Sequence, residues 1–235
     1  MTFMDWKRQL LCAAVAAMAA LPISAADPTL DQTLAKMDQI ASRFKGLSAK
    51  VEYVQHMEAI HEDDSQTGTI LVKRANRNSL HVKISIEKPE PKVAVADGSK
   101  VEAYYPSSGE IQTYSLGAKK SLVSMILTLG FGGSSKELQA AYDVKLGGVD
   151  TVAGESATRL ALVPKSKDLK DQWSKIDLWI SDKTGYAVQQ KFYERGMDYT
   201  QITYTGVQPR PDIPDTDFLL PKGIPKETLN KNKKK

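Results

Sequence analysis

The chain has 235 residues, 41% of them hydrophobic, and 32 Lys and Arg against 28 Asp and Glu for a net charge of +4. That length suits one domain with a sizeable core. The aromatics are dispersed and no dense basic stripe is visible, which excludes a typical nucleic-acid binder, and a lone cysteine, Cys12, leaves no pair for a disulfide.

Lys7 and Arg8 precede an apolar run from Leu10 to Leu21, Pro22 breaks it, and Ser24-Ala25-Ala26 supplies small residues before Asp27. This is the pattern of a secretory signal peptide over residues 1–26, cleaved after Ala26. The rival, an uncleaved anchor, needs about 20 apolar residues, and the run falls short. Cys12 lies early in the apolar run, before most of it, so lipidation is not expected there. The exported chain would then hold no cysteine, hence no thiol nucleophile and no thiolate metal site.

Residues 27–223 read as one α+β domain, followed by a basic tail over 224–235. Asp27-Pro28 opens a helix in which Leu30, Leu34, Met37, Ile40, Ala41 and Phe44 recur on one face, and Gly46 ends it. Strands are expected at Ala49–Met57, Thr67–Arg74, Leu80–Ile86, Val93–Ala96, Lys100–Tyr105 and Glu110–Tyr114. In the third, Leu80, Val82, Ile84 and Ile86 face one side while His81, Lys83 and Ser85 face the other. Asp97-Gly98 supplies a tight hairpin turn. An apolar helix is expected over Lys119–Phe131, followed by Gly132 and Gly133, and a second over Ser134–Tyr142. Strands resume at Asp143–Val152, Glu155–Val163, Lys175–Ile180, Tyr186–Tyr193 and Tyr199–Gln208, about eleven in all.

The order of several short pieces resembles the periplasmic outer-membrane lipoprotein carrier family (LolA-like). These are the first helix ending in Phe44, Lys73-Arg74-Ala75-Asn76, Asp97-Gly98 then Tyr105-Pro106, and the central helical insert. Leu178-Trp179-Ile180 with Thr184-Gly185, and Phe218 with Pro221-Lys222-Gly223, complete the series. The resemblance implies an unclosed antiparallel β-barrel, a half-barrel with helices across its concave apolar face. It also implies a monomeric periplasmic carrier of lipoprotein acyl chains, served by an inner-membrane releasing complex and an outer-membrane receptor, with no cofactor, no metal and no catalysis. Arg74 falls on the arginine that helps latch the family's helical lid. Two departures stand out: Ala75 replaces the usual proline, and the Leu80 region lacks the family's aromatic.

The residues also support a cavity on their own. Ile70, Val72 and Arg74 alternate onto one strand face, beside Leu80, Val82 and Ile84, with Val93 and Val95 on the next strand and Leu122, Met125, Ile126 and Leu129 from the helical insert. Arg74 reads either as an edge arginine reaching water or as a fork donating to the lid. The insert reads either as a buried helix or as a Met- and Leu-rich cover able to repack.

Other chemistries are thinner. Ser42-Arg43-Phe44-Lys45 and Lys183-Thr184-Gly185 match two motifs of penicillin-recognising enzymes, but no S-D-N lies between them, and Asp182 to Gly185 reads better as a hairpin turn. His56, Glu58, His61, Asp63 and Asp64 could gather a metal, but on a continuing strand His56 and Glu58 would face away from His61 and Asp63. Asp212, Asp215 and Asp217 lack calcium-loop spacing. The alternatives to a lipoprotein carrier are a lipid-binding envelope-stress sensor of the same fold, a carrier of another lipid, and a histidine-dependent hydrolase.

Overall fold

The computed structural model describes residues 27–76, 79–97, 100–115, 129–194, 196–221 and 226–229. Helix α1 (Leu30–Arg43) starts from a capping box in which Thr29 and Gln32 satisfy each other's backbone amides. Pro28 therefore stands just outside the helix rather than in its first turn. Leu34, Met37 and Ile40 form the buried stripe, and Phe44 turns the chain out in extended conformation. Gly46, which opens β1 (Gly46–Met57), has no room for a side chain: a Cβ there would stand 2.6 Å from the Arg210 carbonyl and 2.8 Å from that of Val72.

The meander continues through β2 (Glu62–Asn76), β3 (Ser79–Lys88), β4 (Lys92–Asp97), β5 (Lys100–Tyr105) and β6 (Glu110–Ser115). After α2 (Ser135–Ala141) come β7 (Tyr142–Val152), β8 (Glu155–Pro164), a one-turn α3 (Lys167–Lys170), β9 (Lys175–Ser181), β10 (Ala187–Tyr193) and β11 (Tyr199–Pro209). A 3₁₀ turn at Asp215–Phe218 leads towards β12 (Lys226–Leu229). The strands make one sheet in the order β12-β6-β5-β4-β3-β2-β1-β11-β10-β9-β8-β7. Eleven strands are antiparallel, and β12 adds a parallel partner on β6. The two edge strands, β12 and β7, do not pair, so the sheet is an unclosed half-barrel, as the sequence reading expected. Lys226–Leu229 thus forms a strand within the stretch read as a basic tail.

The β4–β5 ladder runs to Asp97↔Lys100, and Gly98 of the expected Asp97-Gly98 turn lies outside the described residues. The turn between β9 and β10 holds Gly185 at φ +77°, its amide donating to the Ser181 carbonyl. On the inner face, the stripe of α1 meets Leu160, Leu178 and Ile180 in one core cluster. Helix α2 joins α1 through Asp38, whose carboxylate accepts from the Ser135 amide (2.7 Å) and hydroxyl (2.6 Å). The outer face carries a smaller cluster of Val152, Ala157, Trp179 and Val188. The C-terminal segment crosses it over β2 and β3: Lys73 pairs with Asp215 (2.6 Å), Lys83 donates to the Asp217 carbonyl (2.7 Å), and Phe218 lies edge-on to His81. Among the described residues no helix is long and apolar enough to cross a membrane.

Candidate functional site: an apolar cavity on the inner face

Directly opposite residues on paired strands share a face, and the register builds a cavity from that rule. Tyr53 pairs with Gln66 and with Ile202, Val51 with Tyr204, Ile70 with Ile84, Ile84 with Ala94, and Ile86 with Lys92. These residues, with Gln55 and Gln190, line a cavity of about 310 Å³ on β1–β4, β10 and β11. Most of its wall is apolar, and its polar groups are amides, two phenols and one ammonium.

Of the residues expected to line a cavity, Ile70 and Ile84 do so. Val72, Leu80 and Val82 share that face but are buried in the packed core beside it. Val93 and Val95 are on the other face, opposite Ser85 and Lys83, and it is Ala94 and Ala96 that point inward. The cause is legible in hindsight: Val93-Ala94-Val95-Ala96 is apolar at every position, so its pattern carries no face information, and size misled where register decides. Leu122, Met125 and Ile126 lie outside the described residues. Leu129 is fully buried in the core, and Leu129 to Phe131, read as the end of a helix, instead form a turn.

That turn is fastened across the inner face by backbone carbonyls. The buried Gln190 amide donates to the Leu129 carbonyl (2.7 Å), the Ala187 amide donates to that of Gly130 (3.4 Å), and Arg74 Nη2 donates to that of Gly132 (2.7 Å). Arg74 Nε also donates to the Phe44 carbonyl (3.2 Å), and the guanidinium lies 5.5 Å from the Phe44 ring centroid. Between these points Phe131 is fully buried, its ring edge-on to Tyr204 at 4.8 Å. The Tyr204 hydroxyl donates to Gln190 Oε1 (3.2 Å), so both ends of Gln190 are satisfied, and burial pushes the Tyr204 phenol well above its ordinary pKa. Gly132 sits at φ +94°, and a Cβ there would stand 2.6 Å from Arg74 Nη2 and 2.7 Å from the Phe44 ring.

Sequence reasoning missed Gln190 and Tyr204. A register shift between Ala187 and Gln189 puts Ala187 and Gln190 on one face, which breaks the two-residue period along β10. The available signal was an uncompensated polar residue next to a strong apolar alternation.

Residues 44–220 match the family model described as outer membrane lipoprotein carrier protein LolA. The chain belongs to the LolA family. No curated protein matches it. Among solved structures, an uncharacterised conserved protein from Thermus thermophilus superposes with a TM-score of 0.54 at 11% identity, covering 85% of this chain and 98% of that one. MucB superposes with a TM-score of 0.51 at 13% identity over 83% of this chain and 63% of its own, so the chain spans about two thirds of MucB. Both likenesses are of fold.

The family is described as one of outer membrane lipoprotein carriers. Several of the residues weighed for other chemistry make structural contacts. Ser42 Oγ donates to the Gln39 carbonyl, and the Lys183 and Thr184 amides donate to Ser181 Oγ within the β9–β10 turn. On the outer face, His56 bridges Asp63 (2.7 Å) and Glu58 (3.0 Å) and stacks on Tyr199 at 4.7 Å. Asp63 was expected on the far face because the strand was taken to continue; the chain turns after Met57, and Asp63 becomes the cross-strand partner of His56. The Asp63 bond, then that of Glu58, raises the His56 pKa above its ordinary value. Among the described residues no group of three or more ligand-type side chains is arranged for a metal.

Proposed function

We propose that this LolA-family protein is a monomeric periplasmic carrier, exported by a cleaved signal at residues 1–26, whose domain over 27–223 holds lipoprotein acyl chains in the inner-face cavity. The turn at Leu129–Gly132, latched by Arg74, belongs to the cover that must yield when cargo enters. An inner-membrane releasing complex loads the carrier, and an outer-membrane receptor unloads it. The observation that carries this reading is the apolar cavity lying beside a turn held by an arginine fork, in a chain of this family.

The energetics suit a shuttle. A cavity of about 310 Å³ accommodates roughly ten methylene groups at interior packing density. At about 0.8 kcal/mol per buried methylene, that is roughly 8 kcal/mol before the costs of ordering the chain. Binding of that order is firm yet reversible, and it needs no chemistry from the protein.

Native mass spectrometry of the protein purified from its own periplasm tests the reading. Acylated N-terminal peptides or whole lipoproteins are the expected cargo. A reproducibly empty protein that also ignores added acyl chains overturns it, and a mature chain retaining residues 1–26 overturns the assignment of the leader.

A further inference from the structure

The cavity lining changes character along its strands. Beside Tyr204 the wall is Val51, Ile70, Ile84 and Ala94. Towards the β1–β2 and β3–β4 turns it ends in Gln55, Gln66 and Lys92. Lys92, the first residue of β4, is half-buried. Among the described residues its ammonium has no hydrogen-bond or ion-pair partner, whereas Lys36, Lys73, Lys83, Lys165 and Lys175 each reach a carbonyl or a carboxylate. No carboxylate lines the cavity. Two exposed acids stand near that end: Asp64, opposite Gln55 with Gln66 Nε2 at 3.5 Å from it, and Glu90, two residues before Lys92, which accepts from the Ser107 hydroxyl (3.1 Å).

An unpartnered ammonium on the wall of an apolar cavity is at a disadvantage unless an anion meets it. The Gln55 side chain, also without a partner among the described residues, lines the same cavity and offers a further N–H donor there. We propose that the cavity binds a single acyl chain ended by an anionic group, with the carboxylate or phosphate on Lys92 at the mouth and the chain running inward towards Tyr204. This rests on the acyl-carrier reading and extends it: besides lipoprotein chains, the protein takes single-chain anionic lipids. The volume supports one chain, since roughly ten methylenes fill it.

The test is calorimetric titration of the mature protein with monomeric dodecanoate, dodecyl phosphate, dodecanol and dodecyltrimethylammonium, repeated on Lys92→Gln. In the wild type, at least one of the two anions binds about tenfold more tightly than dodecanol, the increment of one charge-assisted hydrogen bond at a half-buried site. The cation binds more weakly than dodecanol. Lys92→Gln closes the gap to within about twofold by weakening the anion far more than dodecanol. Preference for dodecanoate points to fatty-acid anions and preference for dodecyl phosphate to phospholipid headgroups. Equal binding of all probes, or a gap that survives in Lys92→Gln, overturns the headgroup assignment and leaves the acyl cavity standing. No binding of any probe, dodecanol included, overturns the cavity reading and the assignment with it.

Discussion

Replacing Arg74 by leucine should unfasten the turn at Leu129–Gly132 and destabilise the protein by about 2–3 kcal/mol. The donor to the Gly132 carbonyl, at 2.7 Å, is a charge-assisted bond worth ~1.5–3 kcal/mol. The longer bond to the Phe44 carbonyl, at 3.2 Å, belongs at about 1 kcal/mol, and the contact with the Phe44 ring adds ~0.5–1 kcal/mol. Arg74 is half-buried, which favours the low end of each range, and the leucine recovers part of the loss by burying its own methyls. Urea unfolding followed by tryptophan fluorescence should show a lower midpoint with an unchanged slope. Hydrogen exchange supplies the local readout: the Ala187 amide, which donates to the Gly130 carbonyl, should exchange faster than the global loss of stability explains. Arg74→Lys retains the charge but not the fork and should recover about half the loss. A change under about 1 kcal/mol with unaltered Ala187 exchange would mean that Arg74 is a solvated edge residue and fastens nothing.

Gly132→Ala should cost about 2–4 kcal/mol in the same urea assay, because it adds positive-φ strain to a Cβ that stands 2.6 Å from Arg74 Nη2; a neutral result would show that the turn is free to shift. Gln190→Leu should cost about 2–4 kcal/mol by stranding the Leu129 carbonyl and the Tyr204 hydroxyl, both buried. Adding Tyr204→Phe should then restore about 1–2 kcal/mol, and failure to restore any would mean that water satisfies the phenol. By NMR titration His56 should show a pKa above 6.5, and Asp63→Asn should lower it. Since the folded value is raised, the stability from this contact is complete below the unfolded pKa and is lost as pH rises through the folded one. A titration at or below 6.5 would refute the pairing with Asp63 and Glu58.

The half-barrel was readable wherever one face of a strand is apolar and the other is not. Leu80, Val82 and Ile86 alternate with polar residues and are buried, and the helix stripe of Leu34, Met37 and Ile40 was equally plain. The misreadings share a cause: a pattern confined to one segment cannot report its partner. The Val93–Ala96 run is apolar throughout, so its facing depends on the register with β3. The register shift in β10 hid the inward position of Gln190. Asp63 looked remote from His56 until the turn after Met57 folded one strand back on the other. Arg74 was found through family resemblance, because a lone arginine at a strand end looks the same whether it meets water or a carbonyl.

The way the turn is held bears on how a carrier of this kind could both keep and release cargo. Its three fastenings are carbonyls at Leu129, Gly130 and Gly132, each met by a donor from the sheet. Exchanging such bonds for water costs a net ~0.5–1.5 kcal/mol each, somewhat more for the one from Arg74. Withdrawing the buried Phe131 adds ~1.5–3 kcal/mol. Displacing the turn therefore costs about 4–8 kcal/mol, the same order as the roughly 8 kcal/mol that ten buried methylenes return. With the two terms so close, the partners of the proposed carrier cycle would need to contribute only a few kcal/mol to decide the direction of transfer. A turn held instead by a wide apolar contact would lack that balance. At ~25 cal/mol per Å², a few hundred Å² of additional buried cover would exceed what one chain supplies, and a single chain could not displace the turn.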